Sequence, residues 1–210
     1  MKTVPAEHVE AVLPHVSPQV AAMIRVQELA GMRPGEVVQM RACDIEQGPD
    51  GWTYRPRRHK TEHHGHDREI PLGPQAVAIL KPLLEGRDAD AYLFDPREAE
   101  ALRRARQRLA RKSKVQPSQA KRQRKRNPKR TPRDHYTTDS YRRAIQRGCD
   151  KADVPVWHPH QLRHNAATRI QREIGIESAR VVLGHQSPSV TEVYVERDAS
   201  LARRVMSRFG

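Results

Sequence analysis

One stretch of this sequence is barred from any hydrophobic core. Residues 103–133 hold fifteen Lys or Arg and no Asp or Glu. Like charges at that density repel one another, and the stretch offers almost nothing apolar to bury. Any fold must therefore be built by the flanking parts. Outside it the chain carries 24 basic against 25 acidic residues, although the whole chain is +14. A near-neutral body with one basic arm suits a polyanionic partner.

The length of 210 residues and a hydrophobic content of 36% allow one good-sized domain or two small ones. Cys43 and Cys149 are too few for a disulfide framework and fit a reducing cytoplasm. Glu7, His8 and Glu10 stand where a secretory signal would need an apolar run, and no stretch approaches a membrane span. These features together predict a soluble intracellular protein with no membrane partner.

Helix signals bracket the basic stretch. Ser17-Pro18 is a cap followed by a first-turn proline; Val20, Met23, Ile24 and Ala30 recur at helical spacing, and Gly31 supplies a stop. A short helix is predicted after Pro34, burying Val37, Val38 and Met40. The run from Ile45 to Leu72 reads as β, with Trp52 and Tyr54 two apart, an alternating Arg68-Glu-Ile-Pro-Leu72, and His63-His-Gly-His66 as a hairpin tip. Pro74 opens a helix through Ala78, Leu80, Leu83 and Leu84, closed by Gly86, and Asp95-Pro96 starts another that runs into the basic stretch. Residues 113–135 are expected to stay disordered until they meet a ligand, which makes about 103–135 a basic insert. Further helices are predicted at 139–152, 160–173, 177–183, 188–196 and 199–208. The fold class expected is α+β: mostly helical with a small antiparallel sheet, one domain over 1–210.

The candidate chemistry lies in an ordered series of motifs. They are Ala30-Gly-Met-Arg33-Pro-Gly-Glu36, Lys60-Thr61 ahead of Arg68, Pro159-His160-Gln-Leu-Arg163-His164, Leu183-Gly-His185, and Val193-Tyr194-Val195. His160 and Arg163, three apart, share a helix face. Each alone suits a solvated surface or a packed core, but their order and spacing resemble the tyrosine recombinase (phage integrase) family. Its members place an arginine in Gly-x-Arg-x-x-Glu, a lysine in a β-hairpin, a His-x-x-Arg pair, a Gly-His and then a tyrosine. The match runs over about residues 5–208, interrupted by the basic insert.

That resemblance implies a site-specific DNA recombinase or integrase that joins DNA to Tyr194 through a 3′-phosphotyrosyl link, with no metal, ATP or other cofactor. Physical chemistry suits these residue types. Guanidinium groups at Arg33 and Arg163 donate paired hydrogen bonds to phosphoryl oxygens and neutralise the charge that builds there. A tyrosyl ester keeps the energy of the broken bond, so the strand reseals. By the same resemblance His160 is general base, Lys60 protonates the leaving 5′-oxygen, and His185 holds a phosphoryl oxygen. Glu36 reads as structural, His164 as packing support, and His158 as not catalytic. His63, His64 and His66 lack partners at convincing ligand spacing, so a polar tip is favoured over a metal site.

Arg57, Arg58 and Arg68 are expected to grip backbone phosphates, as are Arg122, Arg124, Lys125 and Arg126 in the insert. The insert lacks aromatic residues for base stacking, so salt-sensitive, nonspecific binding is expected of it. A solvated insert with no ligand is the bland alternative. The partner implied is double-stranded DNA, engaged as a homotetramer by a chain that is monomeric when free, in association with a bacterial nucleoid. Leu201 and Val205, four apart, give the last helix a face for a neighbour or for this domain itself. Family members usually carry a preceding core-binding domain, and this sequence begins just before the catalytic domain. A type IB topoisomerase-like relaxing activity, a non-catalytic DNA-binding derivative and an RNA-binding protein led by the insert are the competing readings.

Overall fold

The computed structural model describes residues 2–48, 51–58, 68–122 and 133–184. The helices predicted at 188–196 and 199–208 lie outside the described residues, as does the His63–His66 tip.

Helix α2 (Pro18–Ala30) is the axis of the domain. Ser17 caps it by accepting from the Val20 N–H at 3.3 Å, and Gly31 ends it with φ 64°. That left-handed conformation is one few side chains adopt without strain. The predicted stripe is present and wider than expected: Val20, Met23, Ile24, Val26 and Ala30 are all buried. Around α2 pack α3 (Pro34–Val38), α4 (Pro74–Leu84), α7 (Thr138–Ala152) and α8 (Pro159–Glu173). α9 (Ile176–Leu183) folds back on α8. The core thus joins residues from both sides of the basic stretch, including Met23, Leu80, Tyr141 and Leu162.

The sheet is antiparallel in the order β1 (Ile45–Gly48), β2 (Gly51–Tyr54) and β3 (Ile70–Leu72). Tyr54 pairs with Ile45 on one side and Ile70 on the other. Its buried hydroxyl donates to the Glu36 carbonyl at 2.8 Å, which fastens the sheet to α3.

Two expectations need adjustment. A first helix, α1 (Ala6–Val12), buries Val9 and Val12 against α7; its two glutamates and one histidine hid a short apolar face. On α4 the inward pair is Ala76 and Leu80, one turn apart, whereas Ala78 is exposed on the far side. α5 (Pro96–Leu109) starts at Asp95, whose carboxylate accepts from the Arg97 N–H at 2.7 Å, and it buries no residue. Beyond it, the described part of the basic stretch is exposed and holds one short turn, α6 (Pro117–Ala120).

Candidate active site where four helix ends meet

The C-terminal ends of α2 and α9 and the N-terminal ends of α3 and α8 converge. Arg33 is the residue just before α3, and Glu36 lies in its first turn. Glu36 is 2% exposed; its Oε2 accepts from the Arg33 backbone N–H at 2.6 Å and its Oε1 from the Arg33 guanidinium at 2.9 Å. A carboxylate at a helix N-terminus is favoured by the backbone dipoles, and here it also fixes the arginine rotamer. Arg163, on α8, is fully buried. Its NH1 donates to the Gly31 carbonyl at 2.7 Å and its NH2 to the Leu183 carbonyl at 2.7 Å. Arg163 therefore ties the end of α2, two residues before Arg33, to the end of α9.

A third guanidinium belongs to the same centre. Arg68 is 7% exposed, with Nε 3.6 Å from Glu36 Oε1 and both terminal nitrogens donating to the Val182 carbonyl at 3.2 and 3.3 Å. Burial lowers its pKa, Glu36 opposes that shift, and Arg33 adds to it. The group remains a cation, as arginine does in proteins. Two guanidinium groups flank one carboxylate and the third, Arg163, lies buried between the ends of α2 and α9, so the centre holds excess positive charge in a low-dielectric setting that favours an anion. Arg33 opens furthest to solvent, with 18% of its side chain exposed.

His160 is half-buried, in the first turn of α8, one turn before Arg163. Its ring meets that of His164 edge-on, with centroids 5.9 Å apart. His164 is 4% exposed; its burial first, and then its proximity to His160 and Arg163, lowers its pKa to about 4. It is neutral at pH 7 and packs rather than titrates there.

Beneath this sits a buried amide that none of the sequence motifs marks. Gln27 Nε2 donates to the carbonyls of Met32 at 3.1 Å and Pro159 at 2.8 Å, while its Oε1 accepts from Tyr141 Oη at 3.0 Å. Three segments carrying Arg33, His160 and the α7 scaffold are thus held by one side chain. Its signal was position: Gln27 continues the Val20, Met23, Ile24 stripe at helical spacing.

Of the other expected residues, Arg68 is not on a phosphate-gripping outer face. Strand alternation puts it on the same side as Ile70 and Leu72, which are buried. Arg57 is exposed but engaged by Asp44 at 2.9 Å and Asp90 at 3.0 Å. Arg58 is exposed, with its carbonyl accepting from Gln39, and Arg122 is exposed at the end of the described basic segment. Lys60, His185, Tyr194, Arg124, Lys125 and Arg126 lie outside the described residues.

The fold and the site define a mainly helical domain with an arginine-built anion centre. The chain belongs to the phage integrase family, whose model matches residues 3–200. Among curated proteins there is no match. Solved structures with the same fold include XerA recombinase, with a TM-score of 0.65 and 20% identity over 100% of this chain and 65% of that one. XerH site-specific recombinase, in a post-cleavage complex with difH substrate, aligns with a TM-score of 0.62 and 16% identity, covering 98% of this chain and 52% of that one. The Tn1549 transposon integrase with circular intermediate DNA aligns with a TM-score of 0.63 and 14% identity, covering 100% and 67%. The chain spans roughly half to two thirds of the length of these proteins. Among the described residues, no helix is long and apolar enough to cross a membrane.

Proposed function

We propose that this chain is the catalytic domain of a site-specific DNA recombinase or integrase that cuts and rejoins strands through Tyr194. The observation carrying this reading is that buried Arg163 ties the Gly31 carbonyl, two residues before Arg33, to the end of α9, with His160 one turn before it on the same helix. By family membership the guanidinium groups of Arg33 and Arg163 hold the non-bridging oxygens of a phosphodiester, where negative charge grows during attack. Family membership supplies the remaining roles. The Tyr194 oxygen attacks the scissile phosphorus, His160 accepts the phenolic proton, and the P–O5′ bond breaks as Lys60 protonates the leaving oxygen. His185 holds a phosphoryl oxygen. The covalent 3′-phosphotyrosyl ester is reversed when a free 5′-hydroxyl attacks it, so neither net hydrolysis nor ATP is involved.

Double-stranded DNA is the partner, with a tetramer assembled on two sites and a monomer free in solution. The exposed cations of the basic segment supply backbone affinity. The test uses a nicked suicide duplex that traps the covalent complex. Wild-type protein is expected to give a denaturation-resistant DNA adduct and Tyr194→Phe none. Equal adduct from both would remove Tyr194 as nucleophile, and plasmid relaxation by monomer without synapsis would turn the reading toward a topoisomerase.

A further inference from the structure

The last turn of a helix leaves carbonyls without partners inside the helix. At α9 two successive ones, Val182 and Leu183, are each taken by a buried guanidinium, Arg68 and Arg163 respectively. The two arginines come from different elements, and each is anchored elsewhere in the centre. Arg163 reaches the Gly31 carbonyl, and Arg68 reaches Glu36, the carboxylate that orients Arg33. The α9 end is thereby held to α2 through one arginine and to α3 through the other.

Gly184 shows how closely Arg68 fits. This residue has φ 64°, and a Cβ there would lie 2.5 Å from Arg68 NH1 and 3.2 Å from its Cζ. The left-handed backbone favours glycine, and any side chain there would have to displace the guanidinium lying against it. In sequence, Gly184 immediately precedes His185 and leads to Tyr194. Arg68 immediately follows the 59–67 connection that contains Lys60. One side chain thus links the chain positions from which both outlying groups of the proposed site depart.

Resting on the recombinase reading, we propose that Arg68 is a positioning residue for strand cleavage. It sets the end of α9 against the Glu36–Arg33 pair, and so the point from which the chain carrying His185 and Tyr194 starts. Its terminal nitrogens donate to the Val182 and Glu69 carbonyls, its Nε stands 3.6 Å from Glu36 Oε1 without a hydrogen bond, and its side chain is 6% exposed. Misplacing a reacting group by about 1 Å costs on the order of 100-fold in rate, so the effect belongs in the cleavage step rather than in binding.

The experiment measures duplex affinity and single-turnover adduct formation separately, with wild-type protein, Arg68→Gln, Arg68→Lys, Gly184→Ala and the Arg68→Gln/Gly184→Ala pair. Melting temperature is recorded for each. Arg68→Gln is expected to slow cleavage on the order of 100-fold with duplex affinity little changed. Arg68→Lys, which keeps the charge and one donor toward Val182, is expected to recover part of that loss. Gly184→Ala displaces the guanidinium while leaving it present. It is expected to slow cleavage, and the double variant is expected to be no slower than the worse single one. If Arg68→Gln does not fold, Arg68→Lys and Gly184→Ala carry the same test. Cleavage at the wild-type rate in the Arg68 variants would overturn the proposal, as would a parallel loss of affinity, or full additivity in the double variant. Wild-type protein with no Tyr194-dependent adduct would instead overturn the recombinase reading itself.

Discussion

Replacing Gln27 by methionine keeps the side chain's length and removes all its hydrogen bonding. Three groups then change partners. The fully buried Tyr141 hydroxyl loses its acceptor at 3.0 Å, and the Met32 and Pro159 carbonyls lose their donors at 3.1 and 2.8 Å. A buried polar group left unsatisfied costs about 1–3 kcal/mol. The hydroxyl bears the full cost, whereas the Pro159 carbonyl, in the first turn of α8, retains its helical partner. A destabilisation of about 2–4 kcal/mol follows. Tyr141→Phe alone strands the amide oxygen and is expected to cost about 1–2 kcal/mol. The double variant strands neither member of that pair, so the two effects are expected to fall short of additivity by about 1–2 kcal/mol. Urea unfolding followed by far-UV circular dichroism reads all four corners of the cycle. Because Pro159 directly precedes His160, slower adduct formation by Gln27→Met should accompany the stability loss. A cycle additive to within about 0.5 kcal/mol would refute the network as an energetic unit.

Acid should weaken the fold through His164. Its folded pKa of about 4 lies below the ordinary histidine value, so between about pH 6.5 and pH 4 the unfolded chain takes up a proton that the folded chain refuses. Stability from this group is complete above that window and falls by up to about 3 kcal/mol as pH drops through it; His164→Gln should flatten the pH dependence of urea midpoints, and an unchanged slope would refute the assignment. Gly148→Ala improves helix propensity by about 1 kcal/mol, but the new Cβ would stand 2.7 Å from Val12 Cγ1 and 3.0 Å from Val16 Cγ1. Overpacking should dominate and lower stability by about 1–2 kcal/mol, and a rise in melting temperature would contradict it. Substituting glutamine for the exposed Arg111, Lys112, Lys114, Lys121 and Arg122 should make DNA affinity less salt-dependent, the logarithmic slope shrinking by about 0.9 for each phosphate no longer neutralised. A slope identical to wild type would mean that none of the five reaches DNA.

How much of this was legible in the sequence depended on whether a residue's partner was local. The caps at Ser17 and Asp95, the stop at Gly31 and the inward stripe of α2 follow from rules spanning a few residues, and the helix bounds fall within one or two residues of expectation. The Glu36–Arg33 pair is also local, three residues apart, and its structural role was readable from spacing. Arg68 and Gln27 were different. The partners of Arg68 lie 32 and 114 residues away, at Glu36 and Val182; two of Gln27's lie 114 and 132 residues away, at Tyr141 and Pro159. Arg68 was expected among the phosphate-gripping arginines although it alternates with Ile70 and Leu72, and Gln27 follows Val20 and Ile24 on the buried face. Pattern could not say what would satisfy a charge or an amide there. A polar residue in an inward-facing register costs too much to be left unpaired, so its position alone implies a partner distant in the chain. In this chain the two clearest examples are a guanidinium at the anion centre and an amide in the framework behind it. The polar exceptions within apolar stripes therefore point to the same centre that the family motif marks.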